Sequence, residues 1–368
     1  MRFHCQVMDL IAGLSTSTRA LAARSTMPIL EGLLLETCAQ GLRLTCTDLA
    51  LGIETVVPAQ VSEEGRIVLP GRLFSEIVRK LPGGEMELST NDTFFSVIRC
   101  QNSRTNLAGL DPLEYPELPQ VEDGNLVAIP QNALRSMIQT TCFAIATDET
   151  RPILTGCLLE ISPEEVRLVA LDGFRLALRR MPLGQNIEPT QAVIPGKVLS
   201  ELAKVLPDTS EPASLNIGRT HLTVDMGDTR VVTRLLEGEY IRYRQILPED
   251  WQTRVKVRRA DLENAIERAS LIAREGKNNL VRFHVTGEQL LLTSNAELGD
   301  VQEDISIYLE GKDIDIAFNV RYISDVLKIL ADDEICLRFN TNVSPCVICP
   351  PEGDDYTYLV LPVRVFNA

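Results

Sequence analysis

Apolar side chains recur at helical spacing in several separate stretches of the chain. The stripe between Pro70 and Pro82 consists of Leu73, Phe74, Ile77, Val78 and Leu81. Its spacing fits a helix of about 3.6 residues per turn. Proline lacks an amide N–H and restricts the residue before it, so this helix is expected to begin after Pro70 and to end before Pro82. Six helices are predicted, at residues 9–24, 71–80, 131–143, 196–204, 259–275 and 321–330.

The segments between these helices have the texture of short β-strands. They are rich in β-branched and bulky residues and are bounded by Gly, Pro or Asn turns. The clearest predicted strands are residues 42–47, 66–69, 94–99, 166–170, 290–293 and 356–363.

Two blocks of sequence recur along the chain, and one of them occurs three times. Residues 26–36 read TMPILEGLLLE and residues 150–160 read TRPILTGCLLE, identical at eight of eleven positions. Residues 70–82 reappear at 195–207, and a weaker third copy lies at 319–330. In these copies Arg72, Lys197 and Arg321 occupy one column. Near-constant offsets with the segments in one order establish a tandem domain.

Proline-rich joints at residues 111–119 and 245–251 separate the copies. The predicted domains are 1–120, 126–248 and 252–368. Each then has two helices and about eight strands, and the arrangement that buries both packs the helices on one face of a mostly antiparallel sheet. The predicted fold class is therefore α+β, with three tandem copies of one domain.

Composition limits the place and the chemistry of the protein. No apolar run approaches the roughly 18 residues that span a bilayer. Asp9 and the polar residues 15–18 interrupt the apolar core that a signal peptide requires. We therefore expect a cytoplasmic protein with no membrane contact.

Charge is distributed unevenly between the predicted helices and the rest of the chain. The net charge is −15, yet the predicted helices carry thirteen basic and eight acidic residues, a net charge of +5. One interpretation is the ordinary presence of Lys and Arg on surface helices. The other is a basic lining on an acidic body, which would attract phosphates weakly and to one surface only.

Nine cysteines, an odd number in 368 residues, do not form the even, dense framework of a disulfide-stabilised protein. Cys346 and Cys349 have CxxC spacing, but the chain has no second such pair and only three histidines. Packing as small hydrophobic strand residues is the favoured interpretation of these two. No metal and no cofactor are expected.

Sequence motifs of catalysis are absent. The chain has no GxGxxG, GxxxxGK[ST], GxSxG or HExxH pattern. Asp172 precedes a glycine, as a nucleophilic aspartate in a turn can. Its equivalent in the first copy is Asp48, which points to a turn-forming role instead. We expect no catalytic residue.

In combination, the motifs resemble those of the bacterial sliding clamps, the β subunits of DNA polymerase III. They are RSTMPIL at 24–30, RPILTG at 151–156, DGFRL at 172–176 and LPVR at 361–364. The resemblance runs from Met1 to Arg364. It implies that two chains of three DNA-clamp domains close head-to-tail into a homodimer ring, with helices lining the hole. Such a ring would encircle duplex DNA independently of sequence and tether the replicative polymerase.

The resemblance also implies a pocket in which the polymerase subunit, the clamp loader and repair proteins place a short linear motif. Its lining would be Leu154, Leu171, Gly173, Phe174, Arg175, Leu176, Ile246, Asn319, Tyr322, Val343, Leu359, Val360, Leu361, Pro362, Val363 and Arg364. Phe174, Ile241 and Gln245 depart from residues common in the family, which puts the motif preference in question. Without the resemblance, these apolar residues would be taken for ordinary domain core.

The other implied sites concern DNA and the second chain. The resemblance places Arg24 and Arg151 at DNA. Basic residues of the predicted helices are expected there as well, namely Arg72, Arg79, Lys80, Arg135, Lys197 and Lys204. Residues expected at the dimer interface are Thr105, Leu107, Leu271 and Ile272. The alternative hypothesis is a repeat scaffold without a nucleic-acid role, or an unrecognised enzyme.

Overall fold

The structure is a computed structural model that describes residues 1–276 and 279–364. Within these residues it has six α-helices, one for each predicted helix. They are α1 (Val7–Ser17), α2 (Gly71–Arg79), α3 (Gln131–Gln139), α4 (Gly196–Val205), α5 (Arg259–Ala273) and α6 (Val320–Leu327). None of these described helices is long and apolar enough to cross a membrane.

Helices α1 and α3 end earlier than predicted, at Ser17 and Gln139 instead of residues 24 and 143. The Thr18 hydroxyl donates to the Leu14 carbonyl and the Thr140 hydroxyl to the Ser136 carbonyl, at 2.5 and 2.7 Å. Such bonds compete with the backbone ladder and favour helix ends, and a short 3₁₀ turn follows each helix.

The described residues form 26 strands. The strands of the first half are β1 (Arg2–Gln6), β2 (Gly32–Cys38), β3 (Gly41–Thr47), β4 (Leu51–Val57), β5 (Gln60–Glu63), β6 (Arg66–Pro70), β7 (Glu85–Thr90), β8 (Phe95–Cys100), β9 (Ser103–Ala108), β10 (Asn125–Pro130), β11 (Gly156–Ile161), β12 (Glu165–Leu171) and β13 (Arg175–Pro182). The strands of the second half are β14 (Thr190–Pro195), β15 (Pro212–Ile217), β16 (His221–Asp225), β17 (Thr229–Arg234), β18 (Thr253–Arg258), β19 (Leu280–Thr286), β20 (Gln289–Ala296), β21 (Gly299–Ser306), β22 (Tyr308–Gly311), β23 (Ile314–Asn319), β24 (Glu334–Phe339), β25 (Cys346–Cys349) and β26 (Tyr356–Val360).

The chain divides into two compact units. The first comprises Met1–Arg135 and Glu201–Leu235, and the second comprises Ser136–Ser200 with the chain from Leu236 onward. The middle copy of the repeat therefore contributes strands to both units.

The first unit contains two sheets. One has five strands in the order β5-β1-β7-β8-β9, and the other has eight in the order β10-β15-β16-β17-β4-β3-β2-β6. The eight-stranded sheet joins the middle copy to the first copy, because β17 pairs with β4 and places Thr233 opposite Leu51. Helix α1 buries Leu10 and Leu14 and packs on β3 and β4.

The second unit repeats this arrangement. Its nine-stranded sheet has the order β14-β11-β12-β13-β26-β25-β24-β18-β22, and its four-stranded sheet has the order β21-β20-β19-β23. Here β13 pairs with β26, which joins the middle copy to the third copy and places Val360 opposite Arg175. Helix α5 packs on β20 and β21. The pairings within these sheets are antiparallel, as predicted.

The last predicted strand, 356–363, is too long at its C-terminal end, because β26 ends at Val360. Pro362 has no N–H to give to a strand ladder. The N–H of Leu361 donates to the Phe174 carbonyl and that of Val363 to the Ala317 carbonyl, both at 2.8 Å. Leu361 still follows the register of β26, because Phe174 is the next residue opposite it after the Val360–Arg175 pair. Val363 bonds to β23 instead, so the chain leaves this pairing after Leu361.

The repeated aspartates form equivalent turns. Asp172 Oδ1 accepts hydrogen bonds from the N–H groups of Phe174 and Arg175 at 2.9 and 3.0 Å. Asp48 Oδ1 accepts from those of Ala50 and Leu51 at 3.0 and 2.8 Å. Side-chain bonds to the backbone two residues on are typical of Asx-turns. The predicted turn-forming role of both residues is confirmed.

Candidate peptide-binding site and edge strands

Four of the predicted pocket leucines belong to one buried cluster in the second unit. Leu154, Leu171, Leu176 and Leu359 are each 2–3% exposed, and the half-buried Leu361 packs against the same cluster. Strand pairing brings them together, since Leu176 lies opposite both Leu171 and Leu359. These four side chains are core residues, so a bound peptide could contact only the more exposed residues of the predicted pocket.

Larger apolar side chains of the predicted pocket are exposed. Phe174, Ile246 and Val343 are 58%, 39% and 58% exposed. Pro362 and Val363 are half-buried, and Arg364 is exposed. Val360, in contrast, is fully buried within β26.

The turn after β12 sets the position of Phe174. Gly173 has φ +92°, a left-handed conformation that side chains rarely adopt. The ring of the next residue, Phe174, stacks on the Tyr322 ring, with 6.0 Å between the ring centroids and an interplanar angle of 18°. Asn319 accepts a hydrogen bond from the Arg321 N–H at 3.0 Å and so caps α6, the helix that carries Tyr322.

Arg175 is the charged residue at the centre of this region, and its side chain is 9% exposed. Its guanidinium lies 4.9 Å from the Tyr322 ring centroid and 5.4 Å from that of Phe143. It also pairs with Asp172 at 3.0 Å and with Asp325 at 2.5 Å. A buried guanidinium between two rings and two carboxylates is fully partnered, so Arg175 holds β13 and α6 together.

Local sequence patterns do not show that Phe143 and Asp325 are partners of Arg175. Phe143 and Asp325 were not among the predicted site residues, and Asp325 lies 150 positions from Arg175 in the chain. Asp325 does share a repeat column with Glu76 and Glu201, which marks a recurring acidic position on the second helix of each copy. The pairing itself depends on the β13–β26 joint, which no local pattern reveals.

Six of the cations expected at DNA lie in the first unit. Arg24, Arg72, Arg79, Lys80 and Lys204 are exposed, and Arg135 is half-buried. Arg72 donates to the Ala23 carbonyl at 3.2 Å, which brings it close to Arg24. In the second unit, Arg151 and Lys197 are exposed.

Part of this positive charge is neutralised inside the first unit. Glu201 pairs with Lys204 at 2.7 Å and with Arg19 at 3.1 Å. Burial raises the pKa of Glu201, but its contacts with Lys204 and Arg19 outweigh burial and lower that pKa below its usual range. Lys204 therefore offers less free charge to a phosphate than its position in the sequence indicates.

The residues expected at the dimer interface lie in or beside edge strands of two different sheets. Thr105 and Leu107 are in β9, the edge of the five-stranded sheet, and Leu107 is 8% exposed. Leu271 and Ile272 are near the end of α5, which packs on β21, the edge of the four-stranded sheet. Leu271 is 64% exposed and Ile272 half-buried.

Cys346 and Cys349 both lie in β25 and are buried. Burial is the main cause that raises the pKa of each thiol. Their packing as hydrophobic strand residues is confirmed. Within residues 1–276 and 279–364, no group of three or more His, Cys, Asp or Glu could hold a metal ion.

Comparison with known proteins covers the whole repeat. Family models described as the N-terminal, central and C-terminal domains of the DNA polymerase III beta subunit match residues 1–119, 128–241 and 244–364. A beta sliding clamp of Staphylococcus epidermidis is 36% identical over 363 residues, with 96% of each chain covered. One from Staphylococcus aureus is 35% identical over 366 residues, with 97% of each covered.

Solved structures agree with these matches. The DNA polymerase sliding clamp of Bacillus subtilis has a TM-score of 0.96 at 35% identity, with all of both chains covered. A sliding clamp from Pseudomonas aeruginosa bound to griselimycin has a TM-score of 0.94 at 26% identity, covering 99% of this chain and all of that one.

Three tandem α+β copies, joined in sequence by shared antiparallel sheets, define a three-domain clamp chain. The chain belongs to the DNA polymerase III beta subunit family, the sliding clamps. This is a family of accessory subunits and not a catalytic one.

Proposed function

We propose that two copies of this chain close head-to-tail into a ring that encircles duplex DNA and tethers the replicative polymerase to it. The clamp loader and repair proteins would share one binding site on the ring. The proposal includes no cofactor and no catalytic residue, and it places the protein in the cytoplasm. One observation carries it: each chain has two unpaired sheet edges that match its own internal joints.

Two strand pairs, β4–β17 and β13–β26, join successive copies within the chain, and we call each of them an internal joint. In each, a strand of one copy pairs with the last strand of the next copy. The strands β4 and β13 are equivalent by element order, and each receives a partner, β17 or β26. The equivalent strand of the third copy is β21, which is an edge. The equivalent of β17 and β26 in the first copy is β9, which is also an edge. A third joint of the same kind therefore requires a second chain.

The register of the internal joints predicts the register between chains. Thr233 lies opposite Leu51, and Val360 lies opposite Arg175. Transfer to the equivalent strands places Leu107 of one chain opposite Gly299 of the other. Charge supports this pairing, because β9 carries Arg104 and β21 carries Asp300 and Asp304, whereas Glu303 already pairs with Arg268 at 2.6 Å. Opposite charges on paired strands stabilise a sheet and repel incorrect partners.

Helix α5 extends this interface beyond the strands. Leu271 is 64% exposed beside β21 in the isolated chain, and a partner's β9 would cover it. Burial of a leucine side chain stabilises an interface by roughly 1.5–3 kcal/mol. Two such interfaces related by head-to-tail contact give a closed ring of six domains.

The proposed contact with DNA is weak and independent of sequence. The exposed cations Arg24, Arg72, Arg151 and Lys197 can meet phosphates, but the chain as a whole has a net charge of −15. Phosphate contacts position a protein on DNA without reading bases. Retention would therefore come from the closed ring and not from affinity.

The proposed peptide site is the exposed surface around Phe174, Ile246, Val343, Pro362 and Val363, above the buried leucine cluster. It combines large apolar side chains with Tyr322 on α6 and with Asn319, which ends β23 and caps α6. An extended segment with one or two hydrophobic anchors fits this chemistry, since few residues supply most of the energy of such an interface. A glutamine in the motif would supply polar contacts at its edge.

The experiment compares wild type with the double variant Leu271→Ala, Ile272→Ala in sedimentation velocity across a dilution series. We expect wild type to sediment as a dimer and the variant as a monomer. Leu126→Ala is the matched control, because Leu126 is also 64% exposed but lies in β10, which is neither of the two strands of the proposed interface. If the double variant stays dimeric at every concentration, the proposed interface is wrong, and so is the ring that depends on it.

A further inference from the structure

Two cysteine sulfurs lie close together in the second unit. Cys142 is in the 3₁₀ turn Cys142–Ala144, and Cys157 is the second residue of β11. Their Sγ atoms are 3.5 Å apart, and the two residues are 15 positions apart in the chain. A disulfide has an S–S distance of about 2.05 Å, so small side-chain rotations and a minor backbone shift would close the gap.

The two thiols differ in their access to solvent. Cys142 is half-buried and lines a cavity of about 530 Å³ between α4 and α6, whereas Cys157 is fully buried. Burial, and then the neighbouring Cys142, raises the pKa of the Cys157 thiol well above its usual range. A small oxidant can therefore reach Cys142 through the cavity. Cys157 remains a protonated, less reactive thiol until it loses its proton in forming the S–S bond, so the first oxidation falls on Cys142.

We propose that Cys142 and Cys157 form a redox modification site, at which a peroxide produces one reversible intrachain disulfide. In the first step the Cys142 sulfur bonds to one peroxide oxygen and the O–O bond breaks. The other oxygen leaves as water with the thiol proton, and Cys142 becomes a sulfenic acid. In the second step the Cys157 sulfur bonds to the Cys142 sulfur, and the hydroxyl leaves as water with the Cys157 proton. The two thiols are oxidised by two electrons, and the peroxide is reduced to two waters.

The disulfide would fasten a segment that carries the repeated RPIL motif. Between the two cysteines lie Pro152–Thr155, a 3₁₀ turn, and within it the cluster residue Leu154. Phe143, the neighbour of Cys142, contacts Arg175 and Tyr358. The linkage would therefore restrict residues 143–156 beneath the proposed peptide site. Any effect on peptide binding rests on the proposed function, whereas the disulfide itself does not.

The test is thiol mapping on the full-length chain after mild treatment with hydrogen peroxide. Free thiols are alkylated in denaturant, and the protein is digested with Glu-C, which cleaves after Glu149 between the two cysteines. The digest is analysed by mass spectrometry before and after reduction. We expect one linked peptide pair containing Cys142 and Cys157, lighter than its reduced parts by about 2 Da, the two hydrogens lost. Treatment with a dithiol reductant should restore both thiols.

Three variants separate this pair from general oxidation. Cys142→Ser and Cys157→Ser should each abolish the linked peptide, and Cys157→Ser should leave Cys142 as a sulfenic acid that dimedone traps. Cys38→Ser is the control, because Cys38 is the other half-buried cysteine. It should form the linkage as wild type does.

Two outcomes would overturn the inference. One is peroxide oxidation of Cys38 with Cys142 and Cys157 both still free, and the other is progression of Cys142 to sulfinic acid in wild type without a linkage. Neither outcome depends on ring formation or on peptide binding, so the proposed function would stand unaffected.

Discussion

Phe174 and Arg175 follow each other in the turn after β12 but have opposite surroundings. The Phe174 ring is 58% exposed and is held on one face by Tyr322. The Arg175 side chain points into the protein, where aromatic rings and carboxylates surround it. A ring that is already positioned by a neighbour loses little side-chain freedom on binding, so its contact with a ligand is favourable. Phe174 is thus the residue at which the peptide site is most directly tested.

Replacing Phe174 with alanine is expected to weaken binding of a peptide with a glutamine and leucine motif by roughly tenfold, the effect of one interface hot spot of about 1.4 kcal/mol. Fluorescence anisotropy with a labelled peptide measures this. Phe95→Ala is the control, since Phe95 is 50% exposed in β8 of the first copy. Equal affinity of Phe174→Ala and wild type would show that the peptide does not bind at Phe174. Leu176 is a poorer probe, because it is 2% exposed and its replacement would disturb the core.

Among the elements, the contact between β13 and α6 depends most on one side chain. Arg175 on β13 reaches Asp325 on α6, and the Phe143 ring packs against both Arg175 and Tyr358 of β26. A planar guanidinium can stack on rings and bond two carboxylates together, whereas an ammonium group cannot do both. The joint between the second and third copies is therefore expected to tolerate lysine poorly at this position.

We expect Arg175→Lys to lower the free energy of unfolding by about 2 kcal/mol, because part of a buried charge network loses its partners. Urea unfolding monitored by circular dichroism measures the change. Arg179→Lys is the control on the same strand, where the guanidinium stacks on Tyr356 at 5.5 Å. The control should change the unfolding free energy much less. An Arg175→Lys variant as stable as wild type would mean that the network contributes no net stability.

The elements show which features of the fold a sequence can reveal. The stripe from Leu73 to Leu81 predicted α2 because the 3.6-residue period of a helix is visible in the local spacing of its apolar residues. The end of β26 was predicted three residues too late, because the apolar run continues to Val363 although the Val363 N–H bonds to Ala317 of β23 and no longer to β13. The pocket leucines could be located only through the family resemblance, since their apolar pattern equally fits ordinary core. Long-range pairing is the information that local patterns lack.

For the whole molecule, the decisive quantity is how much longer the protein is retained on circular DNA than on linear DNA. A chain with a net charge of −15 has little general attraction for phosphates, and Glu201 already pairs with two of its cations. Contacts between phosphates and cations weaken steeply as salt rises. A closed ring, in contrast, stays on a closed circle at any salt concentration that leaves the dimer intact.

We therefore expect loaded protein to remain on a nicked circular plasmid through gel filtration and to be lost once the plasmid is cut at one site. Raising salt should speed loss from the linear form and leave retention on the circle unchanged. The Leu271→Ala, Ile272→Ala variant should be lost from both forms. Equal retention on linear and circular DNA would show binding by affinity and contradict a topological link.

The two internal joints of each chain and the proposed joint between chains use the same kind of strand pair, but they differ in one respect. A strand that peels from an internal joint remains tethered and returns at high effective concentration. The edges β9 and β21 have no such tether, and the proposed interface pairs one with the other and neither with its own copy. A head-to-tail contact of this type has two possible products, a closed ring or an open filament, and the angle at each joint selects between them. Small substitutions that change the twist of either joint sheet would therefore alter the choice between a discrete dimer and a growing polymer.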